Sequence, residues 1–589
     1  MSRKCSIVVG FAFLCALAAC DPGQTVKDDT DPKTNLPTPS SCDRTEVLVN
    51  NKCMSPSEIK FDTVGYLVDR KKIATVPAGS ATKFQLVDPE SDEVAFEGDL
   101  GESTTNADTG DTTQLADFSE FSTEGKYVLR VEGHEDSPPF EIGQEVWNDT
   151  LRVTMLGLYG LRCGTKVEFS HQGTTFKHEA CHKDDGIING TFEGGLWSGG
   201  EKRDGTGGWH DAGDYGKYTV NASFALAFLL KAWEDFGERL GGVKHIPDYD
   251  GTLSPWLAEA KYQMDQLLEM QLSDGSAIHM LGPRAFPGNV LPETDTAPRY
   301  FTGVGTAATA DLVAVAAMAA RVFRAVDAEY ADKCLAAAKA GQAFLDATPS
   351  VLSPSFDGFT HAAYKRAQDV GERFWALAEL WRTTGDAALL TKVEELLPST
   401  AKMNFDWGNV ENLGLFTYVQ ASNDGRNAEK LASARASVVA SADSLVTGAD
   451  SHAYGRGIGT MYYWGVNGVL ARSTLNLFVA NQIAPDEKYL DAAALQVDHL
   501  LGRNPFGRSM LTGVGYLPAN SPHHRPSQGD GIRQAWPGLL VGGPNPQDPD
   551  AAGKPPGLAW KDDEGDYYVN EIAINWNTAL AYALAGFYK

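Results

Sequence analysis

Two hydrophobic periodicities divide this chain near residue 144. Between residues 55 and 142 the apolar residues come in short runs with a period of two. Phe84-Gln85-Leu86-Val87 and Val94-Ala95-Phe96 flank Asp88-Pro89-Glu90-Ser91-Asp92, whose composition is that of a hairpin turn. Gly125-Lys126-Tyr127-Val128-Leu129-Arg130-Val131 alternates as a half-buried strand does. Short strands within fewer than a hundred residues predict a β-sandwich. Beyond Gln144 the spacing becomes helical, over 151–161, 220–233, 255–271, 307–326, 373–381, 470–480 and 572–587. Long loops rich in Gly, Pro, Asp and Asn separate these stretches, and no repeat of fixed period appears. Roughly a dozen helices over the remaining chain predict one large all-α domain.

The N-terminus is read apart from the fold. Arg3 and Lys4 precede a short apolar stretch, Ile7 to Leu17, that cannot span a bilayer. It ends in Leu17-Ala18-Ala19-Cys20, a match to a bacterial lipoprotein cleavage box in which Cys20 is lipidated; ordinary secretory cleavage nearby is the alternative. The following stretch, rich in Asp, Thr, Pro and Lys, reads as a flexible tether. Cys42 and Cys53 close a short loop and could pair in an oxidising compartment. The expected divisions are therefore 1–20 leader, 21–54 tether, 55–143 β-sandwich and 144–589 helical domain. The expected location is outside the cytoplasm, on a membrane through the lipid.

Charge narrows the partners. A formal net charge of -27 over 589 residues disfavours nucleic acid, whose phosphates need Lys and Arg. It also disfavours an anionic polysaccharide. A neutral glycan fits, and the 10% aromatic content offers flat faces for sugars. Acidity that merely keeps an exported protein soluble would look the same.

Three segments carry candidate chemistry. In Trp209-His210-Asp211-Ala212-Gly213-Asp214-Tyr215-Gly216-Lys217-Tyr218, two carboxylates stand close together between small residues and aromatics. Neighbouring carboxylates push their pKa values apart, as acid–base chemistry requires. The others are Pro522-His523-His524-Arg525-Pro526 and Asp562-Asp563-Glu564-Gly565-Asp566-Tyr567-Tyr568-Val569-Asn570-Glu571, the latter just before the last apolar stretch. In this order and at these distances they resemble the catalytic signatures of glycoside hydrolase family 9, the inverting β-1,4-glucanases. Phe61-Asp62-Thr63-Val64-Gly65-Tyr66 followed by Lys71-Lys72-Ile73-Ala74 resembles the immunoglobulin-like module that precedes many catalytic domains of that family.

The resemblance implies an immunoglobulin-like β-sandwich followed by an (α/α)6 barrel, acting as a monomer on cellulose or related β-glucans. It assigns Glu571 as general acid and Asp214 as general base, with Asp211 holding the attacking water. His523 and Arg525 would hydrogen-bond sugar hydroxyls, with His524 a structural neighbour. Asp566 and Tyr568 would stand at a subsite, and Trp209 and Trp464 would stack on sugar faces or belong to the core. Cys163 and the pair Cys181-His182 offer soft ligands suited to tetrahedral zinc, with a Cys163–Cys181 disulfide as the alternative. The resemblance adds His210 as fourth ligand, which makes the zinc structural. Calcium is less favoured: Asp369 to Trp375 aligns with an Asp-Glu calcium pair of many relatives, but Gly371 stands where the Asp is expected, before Glu372. Cys334, in an alanine-rich stretch, reads as a buried thiol. Three alternatives stay open: an exo-acting cellodextrinase or glucosaminidase of the same family, a non-catalytic glycan-binding lipoprotein, and a zinc hydrolase using Cys163, Cys181, His182 and His210.

Overall fold

The structure, a computed structural model, describes residues 47–49, 52–183, 186–188 and 202–589. Cys20 and Cys42 lie outside the described residues. Val47–Val49 and Lys52–Met54 pair antiparallel, so the end of the stretch expected as a tether is a hairpin. Val47 and Val49 are β-branched, which favours strand over coil.

The β-domain packs two sheets. One runs in the order Gly65–Leu67, Phe140–Gly143, Gly125–Val131, Lys83–Val87, Val94–Asp99, with only the first pair parallel. The other runs Ile73–Pro77, Thr112–Asp117, Thr104–Thr105. Between them Phe61, Tyr66, Phe84, Phe118 and Phe140 form an aromatic core, with Tyr66 edge-on to Phe118 at 5.1 Å. The expected 84–87/94–96 hairpin forms, because Asp88 accepts from the amides of Glu90 and Ser91 and Asp92 adopts a φ of 58°. Its second strand is less buried than its apolar run implied: Val94 is half exposed.

The helical domain is a double ring. Among the described residues, Thr219–Phe236, Thr306–Phe323, Val370–Thr384, Glu411–Gln420, Val466–Ile483 and Ile574–Ala585 pack successively and close on themselves. Asn148–Gly160, Pro255–Glu269, Ala328–Ala347, Ala387–Leu396, Ala428–Ser451 and Glu487–Leu501 pack outside them. This is an (α/α)6 barrel. The inner helices are apolar on nearly every side, as helices buried all round must be. Outer helices such as Ala428–Ser451 show only a narrow buried stripe, too weak a period to stand out in the sequence.

The β-domain is bolted to the barrel by polar contacts. Thr63 donates through both its amide and its hydroxyl to the Leu501 carbonyl, and Asp108 pairs with His452 at 3.0 Å. Arg503 links Thr75 and the Ala453 carbonyl. Gly502 allows the close approach, since a Cβ there would lie 2.4 Å from Thr63 Cγ2.

Candidate active site

Three loops at one end of the barrel meet edge to edge. Ala212 pairs with Ala573 and His523 with Glu571, while the His523 amide donates to the Asn570 carbonyl at 2.8 Å. The two-aspartate loop can lie this close only because residue 213 is Gly: a Cβ there would fall 2.4 Å from the His523 carbonyl oxygen. Arg525 completes the joint, donating Nη1 to the Gly213 carbonyl at 2.6 Å and Nε to the Pro287 carbonyl at 3.0 Å.

Within this frame both aspartates are buried and hydrogen-bonded. Asp211 accepts from Asn221 Nδ2 at 2.8 Å on Oδ1 and from the Tyr364 hydroxyl at 2.7 Å on Oδ2. Asp214 Oδ2 accepts from the Gly216 amide at 3.2 Å and the Tyr218 hydroxyl at 2.8 Å. Burial and the neighbouring Asp214 push Asp211 up to about 8. Glu571 is also pushed up to about 8, first by burial and then by Asp214 and Asp211, with Arg525 and Trp464 opposing. A carboxyl with that pKa carries a proton at neutral pH and can donate it.

Glu571 does not open the last helix, although the helical spacing from residue 572 onward places it at that helix's start. Residues 571–573 are extended and bridge to His523, Val541 and Ala212, and the helix begins at Ile574. These cross-loop pairings compete successfully with helix formation. They also take Glu571 out of the first helical turn, where a helix dipole would have favoured its anion.

The expected sugar-contacting residues divide. Trp464 is 37% exposed beside Tyr567 and Tyr568, ring centroids 5.6 and 5.3 Å away, and its indole reaches Glu571. Trp209, by contrast, is 2% exposed and donates Nε1 to Glu259 at 2.8 Å, so it belongs to the core and offers no face to a sugar. Its buried indole N–H needed a partner, and Glu259 supplies one. His523 lies at the junction with Nδ1 on the Glu564 carbonyl at 2.9 Å, and burial lowers its pKa, so it stays neutral. Arg525 spends Nε and Nη1 on backbone carbonyls. Asp566 caps the short Tyr567–Asn570 helix through the Tyr568 amide and sits 3.2 Å from Lys561. His524 is buried, with Nδ1 on Ser527.

The structure adds residues that sequence reasoning missed. Tyr218 and Asn221 stand on the aspartates themselves; a polar Asn inside an otherwise apolar helix was the available signal. Tyr364 comes from a distant loop, with a φ of 58°, and packs edge-on against Tyr218 and Trp407. His361 and the exposed Phe286 stack in parallel at 4.1 Å nearby. No sequence spacing could have placed them.

Behind the aspartate loop, Cys163, Cys181, His182 and His210 converge, all four ligand atoms lying within 4.8 Å of one another. The sulfurs of Cys163 and Cys181 are 3.7 Å apart and unbonded, so the disulfide alternative does not form. Cys163 Sγ lies 3.6 Å from His182 Nδ1, Cys181 Sγ 3.7 Å from His210 Nε2, and the two nitrogens are 3.3 Å apart. This group can hold a metal. Cys334 is buried, as expected.

The calcium segment does not fit calcium, which needs about six to eight oxygens. A Cβ at Gly371 would lie 2.9 Å from Glu411 Cδ, so the Glu411 side chain stands where the missing Asp would be and would have to move for it. Glu372 Oε1 is already held by Arg366 Nε at 2.6 Å.

The model of glycosyl hydrolase family 9 matches residues 147–584, which span the barrel and every residue of the three loops. The chain belongs to glycosyl hydrolase family 9. A cellulase N-terminal ig-like domain matches residues 55–136. The chain is 41% identical over 539 residues to endoglucanase D of Acetivibrio thermocellus, covering 90% of this chain and 83% of that protein. It is 32% identical over 557 residues to a cellodextrinase of Butyrivibrio fibrisolvens, covering 90% and 99%. Among solved structures, the family 9 endoglucanase J30 superposes with a TM-score of 0.84 at 33% identity, covering 89% of this chain and 99% of that one. This family 9 member is a glycoside hydrolase of the cellulase type, cleaving β-1,4-glucosidic bonds with inversion.

Proposed function

We propose that Glu571 protonates the leaving glycosidic oxygen while Asp214 deprotonates a water attacking the opposite face, with Asp211 orienting that water. The observation that carries this assignment is the junction at which the loop of Glu571 pairs with the loops of the aspartates and of His523, where burial and the two aspartates push Glu571 up to about 8. Tyr218 and the Gly216 amide direct Asp214 through one oxygen and leave the other for water. The exposed Trp464 and the half-buried Tyr567 and Tyr568 supply an aromatic wall beside the acid. His523 and Asp566 border it through the same loops, and Arg525 acts by fixing Gly213. Proton NMR of fresh products from mixed-linkage glucan tests the assignment: α-configured reducing ends are expected first, and β-anomers would overturn it. Endo action is supported by the resemblance to endoglucanase D. Long intermediates in the early digest would bear this out, and stepwise release of short sugars would favour the cellodextrinase reading.

The four-residue cluster is a structural zinc site on this reading. Zn–S bonds of about 2.3 Å and Zn–N bonds of about 2.0–2.1 Å give tetrahedral edges of about 3.8 Å between sulfurs, 3.6 Å between S and N, and 3.3 Å between nitrogens. The measured 3.7, 3.6, 3.7 and 3.3 Å agree. Asp295 lies 3.3 Å from His182 Nε2, the outer-shell carboxylate that orients a ligating histidine. With four protein ligands there is no open position, so zinc would supply rigidity to the loop that runs from His210 to Asp211. The chain is further proposed to be a monomeric lipoprotein anchored through Cys20, supported by the cleavage box in its sequence.

A further inference from the structure

The mismatch with calcium has its own structural answer. Around residues 366–372 five carboxyl groups gather from separate elements: Asp311 from an inner helix, Asp369 and Glu372 at the start of the next, Asp406 from a turn, and Glu411 at a helix start. Asp311 and Glu372 are 0% and 1% exposed, and neither oxygen of Asp311 has a hydrogen-bond partner. Burial raises both groups, with Glu372 and Asp369 adding to it at Asp311 and Glu411 at Glu372, while Arg366 opposes the rise at each. The cations facing this nest from packed elements are Arg366, Arg373 on Asp369 at 3.0 Å, Lys402 on Glu411 at 3.4 Å and Arg472 near Asp406 at 3.8 Å. Of these, Arg366 reaches the interior. Its Nε bonds Glu372 at 2.6 Å, and both its Nη1 and Asp406 Oδ1 crowd the same side of Gly408, at 3.2 and 3.1 Å from where a Cβ would stand.

Arg366 lies two residues after Tyr364, the hydroxyl donor to Asp211. Asp406 is followed by Trp407, whose ring packs edge-on against Tyr364 at 4.9 Å. The guanidinium therefore fastens the Tyr364 loop to the helix carrying Glu372 and lies beside the Trp407 turn. We infer that Arg366 is a tethered cation that occupies the carboxylate nest in place of a divalent metal and thereby positions Tyr364 on Asp211. The planar guanidinium suits this, since it offers several directed donors and keeps its charge when buried. Arg366 is a positioning residue; it does not touch the reacting atoms.

The experiment compares wild type, Arg366→Ala and Arg366→Lys, each in CaCl2 and in EGTA, by thermal unfolding, calcium titration calorimetry and cellohexaose kinetics. EGTA also chelates zinc, so zinc content is measured in every sample and only samples of equal zinc content are compared. In EGTA, Arg366→Ala should melt several degrees below wild type, with kcat lowered about tenfold, the order of one lost hydrogen bond to a charged group, and KM changed less. Calcium should bind to Arg366→Ala and restore both values, a rescue that mere loss of packing would not show. Arg366→Lys, which keeps a charge, should fall between. If Arg366→Ala does not fold, Arg366→Gln is read in the same way. The inference is overturned if Arg366→Ala matches wild type in EGTA, or if calcium restores it no more than it raises wild type. The kinetic arm rests on the hydrolytic reading proposed above. A wild type inactive on all glucans would refute that reading, while the unfolding and calorimetry arms would still decide the role of Arg366.

Discussion

Glu571→Gln separates the catalytic function of this carboxyl from its cost to the fold. Folding moves Glu571 from an ordinary 4.5 to about 8. A carboxyl whose folded pKa is raised binds its proton more tightly in the native state. Its ionisation in the unfolded chain therefore draws stability away as pH rises from 4.5 to about 8, and the loss is complete above that. Each pH unit in this window costs the wild type about 1.4 kcal/mol, for a ceiling of about 5 kcal/mol. The upward push is shared with Asp211 and Asp214, so about half of that ceiling, 2 to 3 kcal/mol, is expected for a single substitution. Glutamine keeps the shape and never ionises.

Two measurements follow from the same variant. Thermal unfolding at pH 5 and pH 8 should show Glu571→Gln gaining on wild type by a few degrees more at the higher pH. On β-glucan its kcat should fall about 10²–10⁴-fold, the usual contribution of a general acid. The wild-type kcat/KM should decline on the alkaline side as the free enzyme loses this proton. A stability difference equal at both pH values would refute the burial argument. A kcat within tenfold of wild type would refute the acid role.

Three further outcomes are expected. Tyr364→Phe keeps its packing on Tyr218 and Trp407 but leaves Asp211 Oδ2 without its hydroxyl donor, so kcat should fall about tenfold with little change in Tm; steady-state kinetics with circular-dichroism melting checks this. Elemental analysis should find one zinc per chain, and Cys181→Ser should lose it together with several degrees of Tm, because structural zinc binding contributes folding free energy directly. Cys20→Ala should move the activity from the membrane fraction to the soluble fraction, and unchanged membrane association would end the lipid-anchor reading.

The sequence was most legible where the chemistry demands particular residue types in a continuous segment. Asp211 and Asp214 stood out as two close carboxylates between small and aromatic residues, Glu571 through the resemblance of its segment to the family's catalytic signature, and the inner helices because burial on all sides leaves long apolar stretches. Glu571 was misplaced at the helix start because its extended backbone depends on pairing with His523 and Ala212, which come from two other loops. Trp209 was ambiguous for a related reason. An indole beside catalytic carboxylates reads equally as platform or core until its partner, Glu259 on a helix fifty residues later, is known.

What remained illegible shares one physical cause: the groups that tune the carboxyls are supplied across the barrel mouth. Asp211 is held by Asn221 from the adjacent helix and by Tyr364 from a loop 153 residues away. Tyr364 in turn is braced by Trp407, and its loop is tied to Glu372 by Arg366. Each link is ordinary in composition, and only closure of the ring brings them together. An inner ring closed by its first and last helices makes such long-range supports rigid, since Ile574–Ala585 packs against both Thr219–Phe236 and Val466–Ile483. The acid just before the last helix is thereby fixed against the base just before an early one. Proton donor and proton acceptor can then be set by separate loops and still hold a constant spacing, which a single displacement through a trapped water requires.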